Sequence, residues 1–278
     1  MTSASPRLMP RPRALAPDFE SPTPRHWFGG LALPTHVVNG VNLLFPAGER
    51  FFIRSVRYYL DKVDDPVLHE QARGFFGQEG RHAQAHESFF QVLTAQGYKV
   101  EHFLRIYEFI AYNGIERVAP PALRLAVTAA CEHFTAILAE GTLRERFLDA
   151  AHPTLRALLM WHAAEEIEHK AVAFDVLQRV APSYPLRVAG LLIAAACLSG
   201  FWIAATTMLL WQDRKFGAQR LGPQARLMRE RRGLLSRVFG PGIRQYLRRD
   251  FHPSQNDNMQ LAADYLQSVG AAPAQALS

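Results

Sequence analysis

The sequence predicts an all-α protein built around a four-helix bundle. Apolar residues recur at helical spacing along most of residues 46–180, and no segment alternates convincingly as a half-buried strand would. A second observation is the repeated order Glu, Glu-x-x-His, Glu, Glu-x-x-His, formed by Glu49, Glu79, His82, Glu132, Glu166 and His169. This is the ligand set with which a four-helix bundle holds two metal ions in its core.

The N-terminal part is expected to lie outside the bundle. Residues 1–25 hold six prolines and four arginines but no apolar run of the kind that a signal peptide needs. They predict a disordered leader that is solvated, with contact to anionic lipid as the alternative. Residues 26–46 should be an irregular lead-in, because glycines and prolines interrupt them at Gly29, Gly30, Pro34 and Pro46.

Two helical hairpins are expected to form the bundle. We predict its helices at about 46–60, 66–96, 122–140 and 153–180, with a crossover or side helix at 98–118. Glu49 and Glu79 are 30 residues apart, and Glu132 and Glu166 are 34 apart. Either gap fits one helix, a turn and part of a second helix. Packing the hairpins together would bring all the ligands to one level.

The residue types suit a pair of divalent cations. Four carboxylates carry a charge of about −4, so two such ions would neutralise them, whereas a metal-free cluster of buried carboxylates is costly. Oxygen-rich, six-coordinate sites favour iron or manganese over zinc. We therefore expect two Fe ions, with Mn/Fe or Mn/Mn as alternatives, and Glu79 and Glu166 as bridging ligands.

Other polar residues lie near the two motifs. His86, His162 and Glu165 are about one helical turn, or less, from predicted ligands. They could orient ligands from behind, or they could be ordinary polar residues at a helix rim. A single Glu-x-x-His is common on surface helices, but two of them within strongly apolar stripes are far more specific to metal binding.

Further residues extend the pattern beyond the two motifs. These are the run Trp161-His162-Ala163-Ala164-Glu165-Glu166-Ile167-Glu168-His169-Lys170 and the later Phe251-His252-Pro253. With them, residues 35–258 or so resemble the bacterial family of predicted metal-dependent hydrolases. The resemblance implies a ferritin-like fold, a metal site at the glutamates and histidines named above, and hydrolysis. The ligand set itself is closer to that of di-iron oxidases and oxygenases.

An apolar run with a basic tail follows the bundle. Residues 188–211 contain no charged side chain, and as one helix they would be about 36 Å long, enough to cross a bilayer. Between Gln212 and Asp250 there are eleven Arg or Lys against three acids, a local charge of +8 in a chain of net charge +6. The positive charge is therefore concentrated in this tail.

Several placements of the apolar run remain open. It could turn back at Ser199-Gly200 as a re-entrant hairpin, lie on the membrane and lead its tail onto anionic lipid, span the bilayer, or be buried as a core helix or homodimer interface. Membrane association is favoured, on the cytoplasmic side of the bacterial inner membrane, with a cytoplasmic protein as the alternative. The tail lacks interleaved aromatic residues, which disfavours nucleic acid as a partner.

These segments divide the chain into four parts. We predict a leader at 1–25, the metal-binding bundle at 26–185, the apolar segment at 186–212 and a basic helical segment and tail at 213–278.

The first functional hypothesis is an enzyme that oxidises a hydrophobic, lipid-like substrate with O2, taking electrons from an external donor because no dinucleotide fingerprint is present. The second is metal-dependent hydrolysis of an ester or phosphoester. The third is metal storage, sensing or membrane scaffolding without catalysis.

Overall fold

The computed structural model describes residues 8–15, 17–19, 21–214, 234–271 and 275–276, and helices make up most of them. The α-helices are α1 Ala32–Asn42, α2 Phe45–Leu60, α3 Pro66–Ala95, α4 Glu101–Glu108, α5 Pro121–Arg144, α6 Pro153–His169, α7 Val172–Val180, α8 Tyr184–Gln212, α9 Leu234–Tyr246 and α10 Met259–Ser268. A π-helix, Phe109–Glu116, continues α4, and short 3₁₀ turns occupy Phe147–Ala150 and Pro253–Gln255. The prediction of an all-α fold is confirmed.

Strands contribute little to the described residues. A two-residue strand, β1 Leu8–Met9, pairs antiparallel with β2 Gln275–Ala276. This pairing joins segments from near the two ends of the chain and was not expected from the sequence.

The main helices begin where local chemistry favours it. The Asp65 carboxylate accepts hydrogen bonds from the backbone N–H groups of Val67 and Leu68, at 3.0 and 3.2 Å, and caps α3. A proline occupies the first turn of α3, α5 and α6, where its missing N–H has no helical partner to lose. These signals explain why the predicted starts of the three helices agree closely with the structure.

The bundle packs around a polar centre. Helices α2 and α3 pack against each other and form one group. Helix α5 packs on α6 and α7, which form a second group with it. The two groups also pack on each other. One apolar cluster includes Phe75, which meets the ring of His169 edge-on at 5.0 Å. The other includes Trp161, which meets His82 in the same way at 4.8 Å. The histidines of both motifs therefore lie against apolar core.

Two predicted helix boundaries are wrong. Residues 26–46 are not irregular throughout, because α1 forms over Ala32–Asn42 with Pro34 inside its first turn, where proline is tolerated. The helix predicted over 153–180 is interrupted between α6 and α7 at Lys170 and Ala171. At the interruption, the Lys170 ammonium donates a 2.6 Å hydrogen bond to the Asn256 carbonyl. A single sequence does not show this long-range contact.

Part of the expected leader packs on the bundle. Pro10 lies against Gly74 and Pro12 against Gly77, at places on α3 where a Cβ atom would clash. Small residues on one face of α3 thus make room for an extended segment, and that part differs from a solvated leader. Residues 1–7 lie outside the described part, as do residues 215–233 of the basic tail.

The apolar run forms one continuous helix, α8, so no hairpin turns at Ser199-Gly200. Helix α8 packs along α5 and α1. At Gly190 the backbone approaches α5 so closely that a Cβ atom would lie 2.5 Å from the Ala126 carbonyl oxygen. By length and composition alone, both α5 and α8 could cross a membrane. They differ in burial, because 61% of the most apolar 18-residue stretch of α5 is buried in the protein and only 22% of that of α8.

Candidate metal centre

The structure brings all six predicted ligands together inside the bundle. Glu49 comes from α2, Glu79 and His82 from α3, Glu132 from α5, and Glu166 and His169 from α6, and every one is buried. The Nε2 atom of His169 lies 3.0 Å from a Glu79 oxygen and 3.4 Å from oxygens of both Glu132 and Glu166. The side chains thus form one compact cluster, while their role as ligands stays a prediction.

Many polar atoms of this cluster lack hydrogen-bond partners. Within the described residues these atoms are both carboxylate oxygens of Glu49, Glu79 and Glu132, Oε2 of Glu166, Nδ1 of His82 and Nε2 of His169. A buried polar atom without a partner costs about 1–3 kcal/mol, and more if it is charged. Cations among these atoms would satisfy all of them at once, so the residues present fit a metal centre.

The two motif histidines are held in opposite tautomers. Nε2 of His82 lies 3.0 Å from Oε2 of Glu165, and Nδ1 of His169 lies 2.9 Å from Oε1 of Gln78. Because each outer nitrogen faces an acceptor, it carries the proton when the ring is neutral, and the inner nitrogen then has the free lone pair. Nδ1 of His82 and Nε2 of His169 are therefore the atoms that a metal ion would contact, and Glu165 lies behind His82.

One arginine connects the supports of both histidines. The Arg13 guanidinium donates to Glu165 at 2.8 Å and to both oxygens of Glu168 at 2.8 Å. Glu168 in turn accepts a 2.9 Å hydrogen bond from the Gln78 amide. Sequence reasoning missed Arg13, Gln78 and Glu168. Gln78 and Glu168 directly precede predicted ligands, which is a weak signal, but nothing in the sequence relates Arg13 to residues about 150 positions away.

Two further histidines border the cluster. Nε2 of His162 lies 2.8 Å from Oε1 of Glu166 and 3.8 Å from Oε1 of Glu49. Nδ1 of the same ring lies 2.6 Å from Nε2 of His86. The two histidines thus form a buried chain that leads away from Glu166, and His162 lies close enough to serve as a further ligand.

The cluster offers more than one position for an ion. Four triads have ligand atoms that lie within 4.8 Å of one another, namely Glu49/His86/His162, His82/His162/Glu166, Glu49/Glu79/His82 and Glu79/Glu166/His169. The triads overlap in shared carboxylates, as a bridged pair of ions requires.

Burial and mutual repulsion make the cluster bind protons when no metal neutralises it. Burial and the neighbouring carboxylates hold the pKa of Glu49 and Glu132 well above the ordinary value, and burial raises the pKa of Glu79 to about 7. Burial alone would also raise the pKa of Glu166, but the charges on His169 and His162 outweigh it and hold the pKa well below the usual range. Metal binding should therefore release protons from Glu49, Glu79 and Glu132.

A second group of potential metal ligands, His26, His36 and Asp213, has a structural role. Nε2 of His26 and Nε2 of His36 lie 2.6 and 2.9 Å from Oδ2 of Asp213, at the end of α8. The Asn39 amide nitrogen faces Nδ1 of His36 at 3.4 Å, which leaves the proton on Nε2, and the Arg25 cation lies 3.3 Å from Asp213. A protonated nitrogen beside a guanidinium is poorly suited to bind a metal ion. We therefore infer that these contacts hold residues 25–36 against the end of α8.

An apolar cavity reaches the centre. It has a volume of about 150 Å³, and Glu166 and His162 are the titratable residues in its lining. The other lining residues are Val37, Val38, Val41, Phe45, Thr135, Leu138, Ala139, Gly141, Thr142, Phe147, Leu148, Leu159, Ala163 and Trp202. A second, similarly apolar cavity of about 150 Å³ shares Phe45 and Thr135 with the first.

A helical bundle with buried clusters of glutamate and histidine defines a class of proteins able to bind metal ions in their core. The family model described as predicted metal-dependent hydrolase matches residues 11–257, and the chain belongs to that family. Metal dependence thus agrees with the buried His and Glu groups. Comparisons with curated proteins and with solved structures found no match.

Proposed function

We propose that the chain is an enzyme with a dinuclear metal centre that hydrolyses an ester bond in a largely apolar substrate. The observation that carries the proposal is the apolar cavity that reaches Glu166 and His162 of the buried cluster. Membership of a family described as metal-dependent hydrolases supports the reaction type. Two divalent cations, when bound, would activate water and polarise the bond to be broken.

The residues of the chain have separate tasks in this proposal. Glu49, Glu79, His82, Glu132, Glu166 and His169 would hold the ions. His162 and His86 would exchange protons with the centre, since Nδ1 of His162 lies 2.6 Å from Nε2 of His86. The ring of Phe45 lies 4.6 Å from His162 and 4.8 Å from His86, and it would keep bulk water away from that proton path.

The cavity favours an ester over a phosphoester. Among the described residues, its lining contains no lysine or arginine to assist the metal ions in binding a phosphate group. An acyl or alkyl chain would instead gain about 25 cal/mol for each Å² of apolar surface that it buries there. The substrate should therefore carry a hydrocarbon portion next to the bond that reacts.

Oxidation by O2 is a second candidate, which the donor set favours. A buried cluster of four carboxylates with histidines suits iron or manganese better than zinc, and it is common in metal centres that react with O2. The same cavity would then hold a hydrophobic substrate, and an external electron donor would be required. The two candidates agree on the centre and the substrate class but differ in the need for O2 and electrons.

The deciding experiment uses full-length protein purified without oxygen and loaded separately with Fe²⁺, Mn²⁺ and Zn²⁺. Each form is assayed for hydrolysis of p-nitrophenyl esters with short and long acyl chains, and for O2 consumption after addition of a reductant. Metal-dependent hydrolysis that prefers long chains without O2 uptake supports the main proposal. O2 uptake without hydrolysis contradicts it in favour of the second candidate.

A matched pair of variants controls this experiment. Glu79→Gln changes a buried residue of the cluster, and Glu87→Gln changes a half-buried residue of the same helix that pairs with Arg50 outside the cluster. The proposal requires loss of activity in the first variant and retention in the second. Equal activity in both would mean that the hydrolysis does not come from this centre.

A further inference from the structure

Helix α8 presents an uncharged face to solvent. The residues on this outward stripe include Leu192, Ala196, Gly200, Ile203, Thr207 and Trp211. Leu192 is 64% exposed, and Ile203 and Trp211 are each 65% exposed. Such a long apolar stripe is unusual on the surface of a protein surrounded by water alone.

A second element extends the same apolar surface. Helix α4 and the π-helix after it expose Ile106, Phe109, Ile110 and Ile115, with Phe109 at 67%. They lie beside α8, since the ring of Tyr107 is 4.8 Å from that of Phe201. Sequence analysis could assign residues 98–118 only to a crossover or side helix. The structure shows that their apolar residues enlarge the face of α8.

The second apolar cavity lies between these two elements. Its lining includes Tyr107 and Ile115 on one side and Ile193 and Phe201 on the other. Ile115 is 41% exposed, so the cavity reaches the surface within the apolar face. At its inner end it meets the cavity of the metal centre at Phe45 and Thr135. These two shared side chains separate the outer cavity from the cavity that Glu166 and His162 line.

Basic residues lie at the edges of the face. Arg105 and Arg117 are exposed on α4 and after the π-helix, although Glu101 and Glu108 are exposed there as well. At the end of α8, the Arg214 guanidinium lies 4.4 Å from the centre of the Trp211 ring. The sequence then continues into the stretch of eleven Arg or Lys against three acids. An uncharged face that is joined in sequence to this strongly basic stretch is complementary to an anionic lipid surface.

We propose that the face formed by α8, α4 and the π-helix docks onto an anionic lipid bilayer, and that apolar substrate enters the protein from the bilayer between Ile115 and Ile193. Docking in the plane of the membrane fits better than spanning, because α8 packs along α5 and α1. A spanning α8 would draw those helices, and with them Glu132 of the metal centre, into the hydrocarbon region. The entry route rests on the proposed function, whereas the docking itself does not.

The docking is tested by flotation of full-length protein with vesicles of phosphatidylcholine alone and of phosphatidylcholine with phosphatidylglycerol, at low and high salt. The wild type should float with the anionic vesicles, and binding should weaken at high salt as basic residues are screened. The double variant Phe109→Glu/Ile203→Glu should bind at least about tenfold more weakly. Val269→Glu is the control, because Val269 is 56% exposed at the end of α10, outside the face.

Three outcomes would overturn the proposal. The wild type could remain unbound at low salt, or both substituted proteins could bind as well as the wild type. The wild type could also form a dimer without lipid that only the double variant disrupts, which would assign the face to a second copy of the chain.

All substituted residues are exposed, so circular dichroism should confirm unchanged folding. Metal-free protein should bind equally, so failure of docking is distinguishable from failure of the proposed hydrolysis.

Discussion

The Nε2 atom of His82 lies 3.0 Å from Oε2 of Glu165, and the other oxygen of that carboxylate accepts a 2.8 Å hydrogen bond from Arg13. On the opposite side, Arg13 reaches His169 through Glu168 and Gln78. A single side chain from the N-terminal segment thus fixes the orientation of both motif histidines. Ligand orientation is a large part of metal affinity, so residues remote in sequence contribute to this centre.

Replacement of Arg13 should weaken metal binding without unfolding the protein. Arg13→Gln removes the cation that holds Glu165 and Glu168, so we expect metal affinity to fall by about 10- to 100-fold. The affinity is measured by titration against a chelator that competes for the metal. Arg54→Gln is the matched control, because Arg54 makes a similar two-pronged contact with Glu116 outside the cluster. Equal affinities in the two variants would mean that Arg13 does not position the ligands.

Glu166→Ala should lower the metal content to one ion or fewer for each chain. Glu166 lies close to both motif histidines and belongs to two of the four candidate triads. Glu49 and Glu79 also belong to two triads, and Glu166 is one of the carboxylates placed to bridge two ions. Elemental analysis of the reconstituted variant measures the content, and a value equal to that of the wild type would contradict the assigned ligands.

The metal-free protein should lose stability as the pH rises above about 6.5. Glu49, Glu79 and Glu132 have raised pKa values, mainly because they are buried, and the raised pKa of His169 acts in the same direction. These groups hold more protons when folded than when unfolded, so the free energy of unfolding falls with pH, by up to about 1.4 kcal/mol per pH unit for each group.

Other buried bases oppose this trend only outside the range from about pH 6.5 to about pH 8. Burial lowers the pKa of His36, His82, His86 and His133, so these histidines favour folding as the pH rises toward 6.5 and have no effect above it. Burial lowers the pKa of Lys170 to about 8, so Lys170 opposes the trend only above that pH. Urea unfolding of metal-free protein at about pH 6.5 and about pH 8 measures the difference. Metal-loaded protein, whose ligands are already deprotonated, should show a smaller loss. Greater stability of the metal-free form at the higher pH would contradict the prediction.

Phe45 should control the length of the substrate that the enzyme accepts. Its ring lines both cavities, so Phe45→Leu should open the junction between them. We expect kcat/KM to rise about 3- to 10-fold for long acyl chains relative to short ones, since each newly buried methylene contributes about 0.8 kcal/mol at most. Phe76→Leu is the control, because Phe76 lines neither cavity. The same chain-length profile in both variants would exclude Phe45 as a gate.

The clustering of the six predicted ligands could be expected from the sequence because their spacing follows local rules. The Glu-x-x-His spacing places both groups on one helical face, and capping residues such as Asp65 set the helices in register. The supporting residues could not be predicted, because Arg13 meets Glu165 only after the whole bundle has folded. For the same reason α1 was missed, since its helical form depends on packing against α8.

The most direct test of the metal centre is elemental analysis of the full-length protein, purified without oxygen and in detergent. We predict about two iron or manganese ions for each chain, because the cluster of the six predicted ligands holds buried atoms without hydrogen-bond partners on all four carboxylates and both motif histidines. The control is Glu79→Gln, which should retain less metal. A wild-type protein that holds no metal even after reconstitution with Fe²⁺ or Mn²⁺ would contradict the existence of the centre.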